Sequence, residues 1–303
     1  MNVVIKVNDE VKEKMIEYYK DKKRDKAIPY VVFQAQDEDT VITMYESGKV
    51  MFQGVSADVD ASMWGVALEN TKENKEKKKQ KNQKYYFCNS VGSDEVGTGD
   101  YFGPIVVTAC YVSKEDIPFL EELGTGDSKK IDDSKILKIA PKIAKKVKYR
   151  SIILYNQEYN EKYSRDVNIN KIKAIMHNRA LYQLIQEEKP QYDYIIVDEF
   201  AREARYYDYL NDQKTVQRGI TFLTKAEDIS LAVACASIIS RYLFLKEFDK
   251  LSDSLHIPLP KGAGKEVDTI GEEIVEKYGK DKLKEIAKVN FKNTERILHT
   301  MIY

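Results

Sequence analysis

The chain has 303 residues, 43% of them hydrophobic, with 49 basic and 49 acidic side chains and a formal net charge of zero. That length suits about two domains with sizeable cores. Balanced charge gives no whole-chain basic signature of nucleic-acid binding, although charge segregated by face could still supply one.

Residues 1–69 read as a small α+β domain. Val3 to Val7 has strand character, and Asp9 to Lys23 is a charged helix. Three short β segments follow, Tyr30 to Gln36, Thr40 to Tyr45 and Lys49 to Gln53, with turns at Asp37-Glu38-Asp39 and Ser47-Gly48. Ala61 to Glu69 could close the domain as a helix. The outcome is an antiparallel sheet backed by helices. Residues 70–84 are lysine-rich and, up to Lys84, lack apolar side chains, so they read as a tether or a solvated helix.

Residues 85–303 alternate strand and helix. Strands are expected at Tyr85 to Asp94, Ile105 to Val112, Ser151 to Tyr155, Tyr192 to Asp198 and Gly219 to Leu223. Helices are expected at Ile136 to Lys148, Asn170 to Glu188 and Ile229 to Leu251. The first two strands should form a hairpin around a glycine loop. The set suits a mixed sheet with helices on both faces. The three cysteines, Cys88, Cys110 and Cys235, are widely spaced and form no C-x-x-C pair, which argues for a reduced cytosol. The first residues turn charged too soon for a signal peptide. No apolar run approaches the roughly 18 residues of a membrane helix.

Two acids, Asp94 and Glu95, end an apolar strand beside Gly97-Thr98-Gly99. Charge is disfavoured within a sheet, so the pair asks for a reason, and a divalent cation supplies one. The strand ending at Asp198 repeats the device. Ligands gather at the carboxyl ends of such strands, so Asp94 and Asp198 could meet if their strands are parallel neighbours. Glu227-Asp228 opens a helix rich in Ala, Ser and Cys, whose small residues allow close approach to a sheet. Bare carboxylates sharing a dry pocket would raise one another's pKa, and metal ions remove the conflict. Two-metal phosphodiester cleavage is the chemistry implied. Asp198 could instead simply end its strand, and Glu227 could be a first-turn acid favoured by the helix dipole.

The stretch from Asp94 to Pro104 resembles the opening motif of type 2 ribonucleases H, and its Gly-Thr-Gly form is similar to the ribonuclease HIII branch. Asp127-Ser128-Lys129 resembles the family's Asp-Ser-Lys element. Asn168-Ile169-Asn170 with Lys173-Ala174 and His177-Asn178 resembles its helix segment. Val197-Asp198, Lys225-Ala226-Glu227, Ala236 to Ile239 and Leu259 to Gly264 follow in order, and Ser47 to Gly54 resembles the N-terminal extension of that branch. Where the family often has Lys-Leu-His-Phe, this chain has Lys288-Val289-Asn290-Phe291.

The resemblance implies a ribonuclease H-like fold preceded by a small domain similar to TATA-box-binding protein. It implies an endonuclease that cuts the RNA strand of RNA–DNA hybrids with Mg²⁺ or Mn²⁺, leaving a 5′-phosphate and a 3′-hydroxyl. Asp94, Glu95, Asp198 and Glu227 would hold two ions, with Asp228 the alternative to Glu227. Gly97, Thr98 and Gly99 would read the 2′-hydroxyl. Ser128 and Lys129, and the stripe Asn170, Lys173 and His177 on one helix face, would meet the hybrid backbone. In the first domain Tyr45, Lys49, Phe52 and Gln53 would add affinity, although strand alternation must turn some of them inward. A cytoplasmic monomer is expected.

Overall fold

The computed structural model describes residues 2–24, 28–54, 57–64, 83–125 and 131–300. It divides into two compact units, Met1–Lys81 and Asn82–Tyr303.

In the first unit, strands β1 (Asn2–Lys6), β2 (Val31–Asp37), β3 (Thr40–Tyr45) and β4 (Lys49–Gln53) form an antiparallel sheet in the order β1-β4-β3-β2. The alternation of side chains along each strand decides what is buried. Ile42, Met44, Val50 and Phe52 point into a core shared with Met15 and Tyr19. Met15 belongs to helix α1 (Asp9–Tyr18), whose N-terminus is capped by Asn8 accepting from the Val11 amide at 2.9 Å. Helix α1 stops at Tyr18, and a 3₁₀ turn, Lys20–Lys22, takes up the end of the longer helix expected there. Helix α2 (Ala57–Trp64) sits earlier than the closing helix expected over 61–69; its Trp64 indole donates to the Tyr19 hydroxyl at 2.9 Å. The tether expected over 70–84 falls outside the described residues except at its end, where 83–86 form a helical turn.

The second unit is built on β5 (Ser90–Val96), β6 (Ile105–Val112), β7 (Lys148–Leu154), β8 (Tyr194–Asp198) and β9 (Ile220–Leu223), in the order β7-β6-β5-β8-β9. β5, β6 and β7 pair antiparallel, while β5–β8 and β8–β9 are parallel, so the sheet is mixed as expected. β5 starts at Ser90 rather than Tyr85, because Tyr85 belongs to the helical turn and packs edge-on against Tyr194 at 4.9 Å. Helix α3 (Ile117–Glu122) follows β6. Helices α4 (Asp133–Lys146) and α8 (Leu231–Leu255) cover one face. Helices α5 (Asn156–Lys162), α6 (Ile169–Glu188) and α7 (Glu203–Asp208) serve the other. Three further helices, α9 (Lys265–Tyr278), α10 (Lys282–Ile286) and α11 (Lys292–Thr300), extend the α8 side. Among the described residues no helix is long and apolar enough to cross a membrane.

One contact sets the depth of the α8 packing. Gly92 lies in the middle of β5, and a Cβ there would stand 2.5 Å from the Val233 amide nitrogen and 2.7 Å from the Ala232 carbonyl carbon. The strand and the helix backbone therefore touch, which the small residues of α8 permit. Gly92→Ala is expected to force them apart and cost about 1–3 kcal/mol, the usual range for overpacking, read as a lower urea midpoint.

Candidate active site

Strand alternation places the two neighbouring acids of β5 on opposite faces. Asp94 faces α8, where the Ser237 hydroxyl donates to its carboxylate and Ser240 Oγ donates to its carbonyl at 3.1 Å. Burial pushes the Asp94 carboxyl above the ordinary range, and the charges of Glu95 and Asp198 push it the same way. Asp198 arrives because β8 runs parallel to β5 with Ser93 opposite Val197, so the next residues, Asp94 and Asp198, are level at the strand ends. Asp198 Oδ1 accepts from the Ala226 amide at 2.9 Å. That bond fastens the 3₁₀ turn Ala226–Asp228, whose entry residue Lys225 sits at φ +57°, and the turn presents Glu227 half-buried.

Glu95 faces α6 instead. One carboxylate oxygen is ion-paired with Lys173, and the other accepts from His177 Nε2 at 2.9 Å. Burial opposes ionisation of Glu95, but the hydrogen bonds and charges of His177 and Lys173 outweigh it and hold the carboxyl below the ordinary range. His177 is fully buried, shares a 2.7 Å hydrogen bond with Ser93 through Nδ1, and stacks on Phe200 at 5.3 Å. The Lys173 ammonium lies 4.1 Å from the centre of the same ring. Among the described residues, no three His, Cys, Asp or Glu side chains converge as a ready metal cage. Glu95 is turned to Lys173 and His177, away from Asp94.

Beyond Val96 the chain turns through the glycine loop. Gly97 has φ +95°, and a Cβ there would collide with the Pro104 carbonyl, so no other residue fits without rebuilding the turn. Thr98 is half-buried, and Gly99 is exposed with open space beside it.

The family model for ribonuclease HII matches residues 91–294, and one for a domain of unknown function, DUF3378, matches residues 2–82. The ribonuclease HIII of Bacillus cereus is 42% identical, with 99% of each chain covered. This chain belongs to the ribonuclease HIII family. A crystal structure of Bst-RNase HIII in complex with Mn²⁺ is 36% identical and superposes with a TM-score of 0.73 over 99% of both chains. Aquifex aeolicus RNase H3, at 22% identity and a TM-score of 0.55 over 95% of this chain and 99% of that one, shares the fold. The expected family and fold class are thus borne out, and the chain is an enzyme of the ribonuclease H class.

Within this ribonuclease HIII chain, the other expected residues fall in different places. Asn170 is half-buried in the first turn of α6. Lys173 is 9% exposed and turned onto Glu95. The polar stripe on α6 is real, but it answers a buried carboxylate rather than solvent. Phe52 is also corrected, being fully buried in the first unit's core. Lys49 and Gln53 have the opposite parity on β4 and lie on the outer sheet face, Lys49 exposed and Gln53 half-buried, with Tyr45 half-buried on β3. Ser128 and Lys129 lie outside the described residues.

The sequence reading passed over a second Asp-Ser-Lys, at Asp133-Ser134-Lys135. Asp133 takes a forked pair of bonds from Arg241, 2.8 and 3.0 Å, and one from Lys261 at 2.6 Å. It ties α4 to α8 and to the segment before α9, and the Arg241 bonds are the main reason its carboxyl drops to about 2.

Lys173→Met should leave Glu95 buried with half its partners. The expected loss in the metal-free protein is about 3–5 kcal/mol, as for other broken buried pairs. Adding Glu95→Gln should recover most of it in a urea double-mutant cycle. Glu95's own share of stability is full above the ordinary glutamate range and is lost as pH falls through its lowered folded value.

Proposed function

We propose that this ribonuclease HIII is a divalent-metal-dependent endonuclease that cuts the RNA strand of RNA–DNA hybrids, leaving 5′-phosphate and 3′-hydroxyl ends. The observation that carries the reading is Asp94, a half-buried acid level with Asp198 across parallel strands and three residues before Gly97 of the glycine loop. Its raised carboxyl marks negative charge that the protein leaves uncompensated on the α8 face. Carboxylate oxygens are hard donors, so the set Asp94, Glu95, Asp198 and Glu227 fits Mg²⁺ or Mn²⁺ and not a soft ion. Asp228 is the neighbouring alternative to Glu227. Two ions held there with substrate bound would supply a water of lowered pKa and a counter-charge for the leaving oxygen.

The chain's own residues do the rest. Asp94, near the end of β5, takes the central position in the set. Lys173 and His177 hold Glu95 ionised and in place. The Gly97-Thr98-Gly99 backbone reads the ribose 2′-hydroxyl, the group that separates RNA from DNA. Ser128, Lys129 and Asn170 contact the hybrid's phosphates. On the first unit, Tyr45, Lys49 and Gln53 form a sheet surface that grips the duplex backbone and adds affinity rather than chemistry. The protein acts as a monomer.

The test uses labelled RNA–DNA hybrid, double-stranded RNA and double-stranded DNA, each with Mg²⁺, with Mn²⁺ and with chelator. Cleavage confined to the RNA of the hybrid, and abolished by chelator, is expected; binding without cleavage, or cutting of the DNA duplex, would refute the proposal. Asp94→Asn should abolish cleavage yet raise the melting midpoint of the metal-free protein. The ionised form of an acid whose folded pKa is raised costs stability at neutral pH, and the amide removes that cost. Lys49→Ala with Gln53→Ala should raise KM for the hybrid about tenfold with kcat nearly unchanged, the pattern of lost uniform binding.

A further inference from the structure

Lys288 is a fully buried lysine, and neither the acid set nor the substrate surface above uses it. It follows α10, in the run Lys288-Val289-Asn290-Phe291. Its Nζ donates to the Asp100 carbonyl at 2.8 Å and to the Gly103 carbonyl at 2.6 Å. Its amide donates to the Tyr101 carbonyl at 2.8 Å, and the neighbouring Ile286 carbonyl accepts from the Gly103 amide at 3.1 Å. Phe102 and Ala287 pair as an antiparallel bridge between these bonds. On its other side the loop is tied to Gly262, whose amide donates to Asp100 Oδ1 at 2.7 Å and whose carbonyl accepts from the Tyr101 amide at 2.8 Å.

The glycine loop thus has two halves. Residues 97–99 carry the backbone proposed to meet the ribose, exposed at Gly99. Residues 100–103 are its foot, and each carbonyl from Asp100, Tyr101 and Gly103 accepts a bond from Lys288. Main-chain carbonyls pointing together into a dry interior repel one another and need a donor. A lysine side chain reaching from a separate segment can collect two of them at one atom. Burial brings the Lys288 ammonium down to about 7, with the Asp100 carboxylate opposing the fall. In either protonation state the group has at least two N–H donors, enough for both carbonyls.

We infer that Lys288 is a positioning residue for substrate selection: it fixes the foot of the Gly97–Pro104 loop so that the backbone of Gly97, Thr98 and Gly99 meets the ribose 2′-hydroxyl. This rests on the ribose-reading role proposed for the loop. Lys288 touches no substrate. It works through the carbonyls of Asp100 and Gly103, and a backbone displaced by a fraction of an ångström loses the hydrogen bonds that distinguish ribose from deoxyribose.

The test compares wild type with Lys288→Met, which keeps the length and removes the donors, and Lys288→Gln, which keeps two N–H groups on a shorter stem. The probes are an RNA–DNA hybrid and the DNA duplex of the same sequence, with activities normalised to the folded fraction. In Lys288→Met, KM for the hybrid should rise about tenfold while kcat falls less than about threefold. Affinity for the DNA duplex should hold, so the preference for hybrid shrinks. Lys288→Gln should recover part of that preference. Tyr159→Phe removes a 3.0 Å bond to Asn290 on the same segment without touching the loop, and should leave the preference intact. Equal loss for hybrid and DNA, an unchanged KM in Lys288→Met, or the same shift from Tyr159→Phe would each overturn the inference. If Lys288→Met does not fold, Lys288→Gln decides by the same readouts, a shrunken preference supporting the inference and an unchanged one overturning it. A wild-type enzyme that does not prefer hybrid over DNA would instead refute the proposed function.

Discussion

Asp94 is held where its own charge is least welcome. The close contact of β5 with α8 at Gly92 presses Asp94 against the helix, and β8 brings Asp198 alongside. Everything around the site follows from how that negative charge is managed. Protein stability is a small difference between large terms, so an unrelieved buried carboxylate is a sizeable concession. The sheet limits it by geometry. Alternation along β5 sends Asp94 toward α8 and Glu95 toward α6, so the two adjacent acids do not share one dry space.

Glu95 is then treated differently from Asp94. On the α6 face two residues one helical turn apart, Lys173 and His177, supply hydrogen bonds and positive charge, and Phe200 covers both. On the α8 face the Asp94 carboxylate receives the Ser237 hydroxyl and a backbone donor, which orient it without neutralising it. Glu95 is compensated by cationic partners, and Asp94 is not. This asymmetry explains why the acid set does not close into a cage by itself. A site with all four acids already converged would carry the full repulsion in the absence of metal.

The sequence made the strand-end acids legible because an apolar run that stops at a carboxylate breaks the rule that charge avoids sheets. Asp94 and Asp198 both show that break, and parallel pairing of β5 with β8 set them level. The inward turn of Lys173 was not legible. Helical spacing shows that Asn170, Lys173 and His177 share a face, yet it does not reveal what that face meets, and a buried partner carboxylate lies far away in sequence. Phe52 was ambiguous for a simpler reason. Parity along β4 groups Lys49 with Gln53 and Val50 with Phe52, and only the position of α1 and α2 decides which pair is inside. The grip of Lys288 on the loop was hidden because both partners are main-chain carbonyls, which every residue carries and no motif marks.

The same logic separates chemistry from recognition in this chain. The acids stand on strands β5 and β8 and on a turn fastened by Asp198, parts of a sheet whose register allows little drift. The glycines proposed to read the ribose stand on a loop with little bracing of its own, since Gly97 has no side chain to pack and Gly99 meets open space. Such a backbone gains definition only from outside. The C-terminal helices, absent from the sequence expectations, supply it through Gly262 on one side and the Ile286–Lys288 segment on the other. Their place in the fold is therefore not mere cover for α8. They convert a glycine-rich turn, the most permissive kind of backbone, into one with a fixed set of hydrogen-bonding directions.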